Sequence, residues 1–313
     1  MATEFYKLQA ALTGAFENNG YQRVLTPAFE LAHIFERGLS ATEASRLLRF
    51  VDPQNGEVLA LRSDITPQIA RLMAGPMADV DVPVRLCYFG RVFRMREHLE
   101  FQRRELAQAG VELIGPANAE ADAELIRVCS DSLNAADVTN CRVSLGHVGI
   151  LHSVLDGLEI TAAQAQELRA LLLKKDRAGV AGLAQKLAIS DERSEALAAL
   201  CGLYGHADEI LPRAEKLFEN IPEAASGLSR LKAILDALRG HPSFEQIIVD
   251  LGEMQGFGYY TGFVFHVYVT GIGHAVASGG RYDTLIAKYG RDIPAAGFAI
   301  DEEGLTEAQH REQ

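Results

Sequence analysis

Gln255-Gly-Phe-Gly-Tyr-Tyr-Thr-Gly262 and Gly279-Gly-Arg-Tyr-Asp283 are two glycine-rich patches joined by a run of strand composition, Phe263 to Val269. Ten of the chain's 28 glycines fall between residues 251 and 300. Glycine weakens a strand interior, so that density marks backbone that turns tightly or that a ligand approaches closely. The patches read either as the floor of a small-molecule site on antiparallel strands or as a run of β-turns in an ordinary sheet. They fit neither a helix nor a phosphate loop.

Strand signals continue on both sides. Gln246 to Asp250 is a strand, and Gly271-Ile-Gly273 after Val269 is a hairpin turn signal. Upstream, Leu106-Ala-Gln-Ala-Gly-Val-Glu-Leu-Ile114 has period two. It sets Gln108, Gly110 and Glu112 on one face and Ala107, Ala109, Val111 and Leu113 on the other. An amide, bare backbone and a carboxylate on one face suit the wall of a polar pocket or a partly solvated edge. Val82 to Met95 reads as a strand-pair region, followed by a charged loop from Arg96 to Arg104. Arg49 to Leu61 reads as a hairpin around Pro53-Gln-Asn-Gly56.

Helix signals fill the rest. Phe5, Leu8, Leu12 and Phe16 recur at three- and four-residue steps over 3–19, with Thr3 as a cap and Gly20 as a stop. A short strand follows from Tyr21 to Leu25. Residues 28–47 read as mostly helical, 65–74 and 118–134 as helices, and 142–145 as a strand. From 160 to 240 the chain is rich in Ala, Leu, Lys and Glu, with little strand signal. Helices and strands do not alternate as in a parallel sheet. The reading is an α+β fold around an antiparallel sheet. Its discontinuous α+β domain spans 1–150 and 241–305, with a helical insertion at 151–240 and a frayed tail at 306–313.

Composition narrows the function. Apolar residues make up 48% and charged residues 23%, as in a soluble globular chain. There is no apolar run of about 18 residues and no signal pattern, so no membrane association is expected. Cys87, Cys129, Cys141 and Cys201 form no CxxC pair, which suits reduced thiols in a cytoplasmic protein and argues against a metal site. The net charge of −12 repels phosphates. The one basic stripe, Arg91 to Arg104, is interleaved with Glu97, Glu100 and Glu105, so no nucleic-acid partner is expected.

Several segments, in chain order, resemble the histidyl branch of the class II aminoacyl-tRNA synthetases. Leu61-Arg-Ser-Asp-Ile-Thr66 resembles that enzyme's Leu-Arg-Pro-Glu-x-Thr segment. Phe93-Arg94, the charged loop and Gln108-Ala-Gly-Val-Glu112 resemble its second signature motif. Tyr259-Tyr-Thr-Gly262 resembles its histidine-recognition loop. Gly279 to Asp283 and Gly297-Phe-Ala-Ile300 resemble the entry to its third motif. The resemblance implies a class II synthetase-like antiparallel sheet flanked by helices. It also implies a histidine pocket in which Asp64 and Thr66 meet the ammonium, Gln108 and Glu112 line the wall, and Tyr259, Tyr260 and Tyr282 enclose the imidazole beside Arg94. For Tyr282 a core role stays open, and for Arg281 and Asp283 a local ion pair.

Departures from the synthetase pattern cluster at the chemistry. Gln255 stands where the synthetase has an arginine that stabilises the reacting carboxylate, and an amide cannot supply that charge. Arg96 replaces the glutamate that helps hold adenine. Gly304 replaces the arginine of the third motif, beside Asp301, Glu302 and Glu303, which would repel a triphosphate. No C-terminal anticodon-binding domain is expected. This pattern resembles the histidyl-tRNA-synthetase-like regulatory subunits of short-form ATP phosphoribosyltransferase, although their Leu-Pro-x-Gly-type leader does not precede the first helix here. The resemblance implies a non-catalytic subunit without cofactor. It would be a homodimer built on the first helix and strand, within a hetero-oligomer with the catalytic subunit, required for activity and for feedback by L-histidine in the first step of histidine biosynthesis. A stand-alone ligase that adenylates histidine without charging tRNA is the alternative, and a synthetase lacking its tail ranks third.

Overall fold

A computed structural model of the chain describes residues 2–95, 104–156, 158–253 and 258–312. The chain opens with α1 (Ala2–Asn18), stopped by Gly20 at φ +80°, and a two-residue strand β1 (Gln22–Arg23). Next come β2 (Phe29–Leu31), α2 (Ala32–Gly38), α3 (Ala41–Ser45), β3 (Arg49–Val51), β4 (Val58–Leu61) and α4 (Thr66–Ala74). Two ten-residue strands follow, β5 (Val84–Phe93) and β6 (Glu105–Ile114), then α5 (Ala119–Ala135) and β7 (Cys141–His147). A mainly helical stretch holds α6 (Val148–Leu155), α7 (Ala162–Leu173), α8 (Arg177–Lys186), α9 (Asp191–Leu200), β8 (Tyr204–Gly205), α10 (Ala207–Leu217) and α11 (Pro222–Leu238). The chain finishes with β9 (Ile247–Asp250), β10 (Phe263–Val269), β11 (Ala275–Arg281), β12 (Ala295–Asp301) and α12 (Glu302–Glu312).

Nine strands form one sheet in the order β1-β5-β6-β12-β11-β10-β7-β9-β8. The pairs from β5 through β7 are antiparallel, while β1–β5 and β7–β9 are parallel. A separate small sheet has the order β2-β4-β3. Alternation along β6 sorts its two faces. Ala109, Val111 and Leu113 join the main apolar cluster with Leu8, Leu12 and Phe16 of α1 and with the buried side of α5. Each fully buried side chain of that size contributes roughly 1.5–3 kcal/mol. The opposite face carries Glu112 and Gln108 and is covered by α4, whose Ile65, Ile69 and Met73 pack with Leu86 and Tyr88. Side chains of the stretch after β7, including Leu172, Leu197 and Leu228, belong to the same main cluster, and β8 adds a strand to the sheet edge.

Four expectations change. Val82 to Met95 is one strand, not a pair, and β6 is its partner. Within that strand Gly90 leaves room for the Arg62 guanidinium: a Cβ there would lie 2.4 Å from Arg62 Nη2. The 28–47 stretch begins with strand β2 before its two short helices. Thr3 lies inside α1 and does not cap it. The end of the chain is not frayed: α12 buries Leu305 and Ala308 fully against the main cluster. The expected charged loop at 96–103, with Arg96, Glu97, Glu100 and Arg103, lies outside the described residues.

One ion cluster ties the layers together. Asp122 of α5 is fully buried and accepts from Arg281 Nε of β11 at 2.8 Å and from Arg230 Nε of α11 at 2.7 Å. Arg281 also pairs with Asp283 at 2.8 Å, the local ion pair left open above. Breaking a buried pair from one side is costly because it strands the other charge, here two guanidiniums. Asp122→Ala is therefore expected to lower the unfolding free energy by about 3–5 kcal/mol in urea titration. A loss below about 1 kcal/mol would show that the cluster is not a structural tie.

Candidate functional site

Backbone and side-chain ties at the end of β4 aim its last residues at the sheet. Arg62 donates from Nε to the Arg91 carbonyl at 2.6 Å and from Nη1 to the Thr26 carbonyl at 2.9 Å. The next turn drops Asp64 and Thr66 over the polar face of β6. Thr66 opens α4, with Pro67 in the first turn, where a missing N–H costs nothing. Asp64 Oδ1 accepts from the Ile65 N–H at 2.9 Å and Oδ2 from the Tyr259 hydroxyl at 2.6 Å.

Beneath them, Glu112 is 1% exposed. Thr66 Oγ1 donates to its Oε1 at 2.6 Å, and the Tyr282 hydroxyl donates to Oε2. Glu112 pairs in register with Gly297 of β12, which pairs with Gly280 of β11. A Cβ on Gly297 would lie 1.8 Å from Glu112 Oε2, and one on Gly280 would meet the Tyr260 ring at 3.0 Å. The glycines in this row are spaces for the carboxylate and the tyrosine, not turns.

Tyr259, Tyr260 and Tyr282 form one edge-to-face group, with ring centroids 5.1 Å (Tyr259–Tyr260) and 5.7 Å (Tyr259–Tyr282) apart. Contacts at the second glycine patch fix them. The Thr261 N–H donates to the Arg281 carbonyl at 2.7 Å, and the Asp283 N–H to Thr261 Oγ1 at 3.0 Å. The Gly258 N–H donates to Glu43 Oε1 at 3.0 Å, so the capping-box glutamate of α3 also holds the tyrosine loop.

Asp64, Thr66, Arg94, Gln108, Tyr259, Tyr260 and Tyr282 line one cavity of about 50 Å³, and Glu112 lies under it. The structure thus brings all eight expected residues together. Sequence reasoning missed Ser278 and Ala299, which also line it, and the buried Tyr88, which interacts with Glu112 and Asp64. Tyr88 stands opposite Gly110, and a Cβ there would lie 2.5 Å from the ring. That pairing was the available signal. Gln255 lies outside the described residues.

The electrostatics favour a cationic guest. Burial raises the Asp64 carboxyl above its ordinary range, opposed first by Arg94. Burial likewise pushes Glu112 up to about 8, opposed by the Thr66 and Tyr282 hydroxyls and reinforced by Asp64. Gln108 Oε1 and the Tyr88 hydroxyl are buried without a hydrogen-bond partner among the described residues. Arg94, the lone cationic side chain lining the cavity among the described residues, donates from Nε to the Ser63 carbonyl at 2.8 Å. Two buried carboxyl groups, an unused amide oxygen and aromatic walls suit a small molecule with several N–H donors. No group of His, Cys, Asp and Glu among the described residues is arranged to hold a metal ion.

The acids after β12 have structural occupations. Asp301 Oδ1 caps α12, accepting from the Glu303 and Gly304 N–H groups at 3.1 Å each. Glu302 turns to the opposite face, where Gln9 of α1 donates to it at 2.7 Å, and Glu303 pairs with Arg91 at 3.2 Å. They are not a free cluster of negative charge.

A raised carboxyl makes stability depend on pH. Between about 4.5 and about 8 the folded chain keeps the Glu112 proton while the unfolded chain has lost it, so stability falls as pH rises through that window. Urea titration of the wild type should show a decline on the order of a few kcal/mol from pH 5 to pH 8. Glu112→Gln should show a clearly shallower decline, and equal declines would mean that Glu112 titrates normally.

With this geometry, the likenesses to known proteins are informative. The histidyl-tRNA synthetase family model matches residues 1–305. A relative from Anaeromyxobacter dehalogenans, named ATP phosphoribosyltransferase regulatory subunit, is 42% identical over 305 residues, covering 97% of this chain and 86% of the relative. One of the same name from Syntrophotalea carbinolica is 39% identical over 300 residues, covering 96% and 70%. Among solved structures, an ATP phosphoribosyltransferase regulatory subunit/histidyl-tRNA synthetase from Bacillus halodurans superposes with a TM-score of 0.89 at 30% identity, covering 98% of this chain and 79% of that one. A histidine–tRNA ligase subunit from Alicyclobacillus acidocaldarius gives 0.81 at 28% identity, covering 99% and 94%. The mixed sheet and its flanking helices are the class II synthetase-like α+β fold, and the chain belongs to the histidyl-tRNA synthetase-like family of ATP phosphoribosyltransferase regulatory subunits.

Proposed function

We propose that this chain is a non-catalytic subunit that binds free L-histidine in the cavity above Glu112 and conveys its presence to a catalytic ATP phosphoribosyltransferase subunit. The observation that carries this reading is the pair of buried carboxyl groups, Asp64 and Glu112, at a tyrosine-walled cavity with Arg94 as its lone described cation. The ammonium of the amino acid pairs with Asp64, and the ring N–H groups meet Glu112, Gln108 and the tyrosine hydroxyls. Relatives named as regulatory subunits support the role and the partner. The subunit is required for activity if the catalytic partner takes its active arrangement only in the complex, and histidine feedback follows if histidine binds two arrangements of that complex unequally. Four buried free thiols suit a reducing cytoplasm.

Adenylation is not part of this reading. Gln255, Arg96 and Gly304 replace the residues such chemistry uses in the synthetases, and Asp301 occupies the first N–H groups of α12. Calorimetry of the purified chain is expected to show histidine binding. Asp64→Asn, which keeps the Ile65 N–H bond on its amide oxygen and meets the Tyr259 hydroxyl only with the donor reversed, removes the charge and should weaken it at least about tenfold with the fold retained. The same protein should show no histidine-dependent pyrophosphate–ATP exchange. Robust exchange would replace this reading with that of a ligase, and histidine binding unaffected by Asp64→Asn would move the ligand elsewhere.

We further propose a homodimer formed through the small sheet and the neighbouring edge. Leu25 is 80% exposed and Val51 63%, and Phe29, Phe50 and Val58 are also exposed there. Phe29 and Phe50 meet edge to face at 5.6 Å, an exposed apolar pair that water disfavours. Sedimentation should report a dimer for the wild type and a monomer for Phe50→Asp. A wild type that is monomeric at micromolar concentration would rule the interface out.

A further inference from the structure

A second cavity, of about 270 Å³, lies between α2, the C-terminal end of α4 and the 3-10 turn Ile286–Tyr289. Its lining includes His33, Arg37, Arg71 and the Tyr289 ring, with Ile34 and Pro76 as apolar wall. It sits about 12 Å along α4 from Thr66, given 1.5 Å per residue over the helix. On a chain of net charge −12, two guanidiniums and an imidazole around one cavity are an exception to the surrounding charge.

The groups that would oppose an anion there are already engaged. Glu30 lies beside Arg71 Nε at 2.7 Å and accepts from Gln68 Nε2 at 2.7 Å. Glu36, next to Arg37 in sequence, pairs instead with Arg49 at 2.8 Å. Of the carbonyls that end α4, that of Leu72 accepts from the Met77 N–H at 2.8 Å and that of Met73 from Arg291 at 3.3 Å, and Arg291 also donates to the Met77 and Val80 carbonyls beyond the helix at 3.2 Å each. Arg37 itself has no carboxylate partner among the described residues, and its guanidinium lies 5.9 Å from the Tyr289 ring centroid. That ring is fixed by the hydrogen bond from its hydroxyl to the Ile34 carbonyl at 2.7 Å.

We propose that this cavity binds a small phosphorylated ligand. The surplus positive charge from Arg37, with Arg71 and His33 beside it, suits a phosphate dianion, and guanidiniums bind phosphate oxygens in pairs. Ile34, Pro76 and the exposed face of Tyr289 receive the apolar or planar remainder of the ligand. The site is separate from the histidine cavity, so it goes beyond the function proposed above and does not rest on it.

Calorimetric titration of the full chain with inorganic phosphate and, separately, with a nucleoside monophosphate tests this. Saturable one-site binding is expected with Kd below about 1 mM. Arg37→Gln should weaken it at least about tenfold, leaving histidine binding and melting temperature unchanged. Tighter binding of the monophosphate than of phosphate assigns the site to phosphate esters, and equal binding assigns it to the free anion. No saturable binding of either probe, or binding indifferent to Arg37→Gln, overturns the proposal.

Discussion

Glu112 and Gly297 share one rung of the sheet, and the site is arranged around that coincidence. A carboxyl side chain lies in the space that the neighbouring strand leaves by having no side chain. Burying a carboxyl is expensive unless it is hydrogen-bonded or protonated. Here both responses operate: two hydroxyls reach it, from α4 and from the residue after β11, and its proton affinity rises. Thr66 and Tyr282 are thereby tied to one atom group, and the elements that carry them converge on it. The cavity above is a by-product of satisfying Glu112 from two sides and leaving the space over Gln108 empty.

The second glycine patch serves a different end from the first. Its arginine points away from the cavity to Asp122, binding the sheet to both helices of the far layer. Asp283 then joins the ends of β11 and β12, since its carboxylate also accepts the Ala295 N–H at 3.2 Å. A five-residue stretch thus divides its labour by direction. Gly279 and Gly280 allow close approach, Arg281 and Asp283 hold the frame, and Tyr282 alone reaches the site.

Much of this was legible in the sequence, for physical reasons. Period two along Leu106–Ile114 sorted Gln108 and Glu112 from the core residues because a strand alternates strictly. The helix over the first residues was legible because Leu8, Leu12 and Phe16 mark one stripe. Hidden were relations that depend on what lies across from a residue. Val82 to Met95 read as a strand pair, since nothing local reveals that its partner is β6 or that Arg62 passes over Gly90. Tyr88 read as one more aromatic residue in a strand, and only its rung partner Gly110 shows that it faces the site. Asp122 gave no signal, since its two arginines lie more than a hundred residues away. The end of the chain looked frayed because its Glu and Gln content hid the two small apolar positions that dock it.

Asp301 sets how the last helix begins, and this closes the first turn of that helix to a further side chain. A side chain added at Gly304 would start 3.0 Å from His274 Nε2 and 3.1 Å from Asp301 Oδ2. Its own N–H is already held by that aspartate, Glu302 is braced against Gln9, and Glu303 against Arg91. A larger residue at 304 would have to push aside the imidazole and the aspartate, and the cap would have to open before such a side chain fitted. Contacts worth little singly thus act together to keep the start of the last helix in one arrangement.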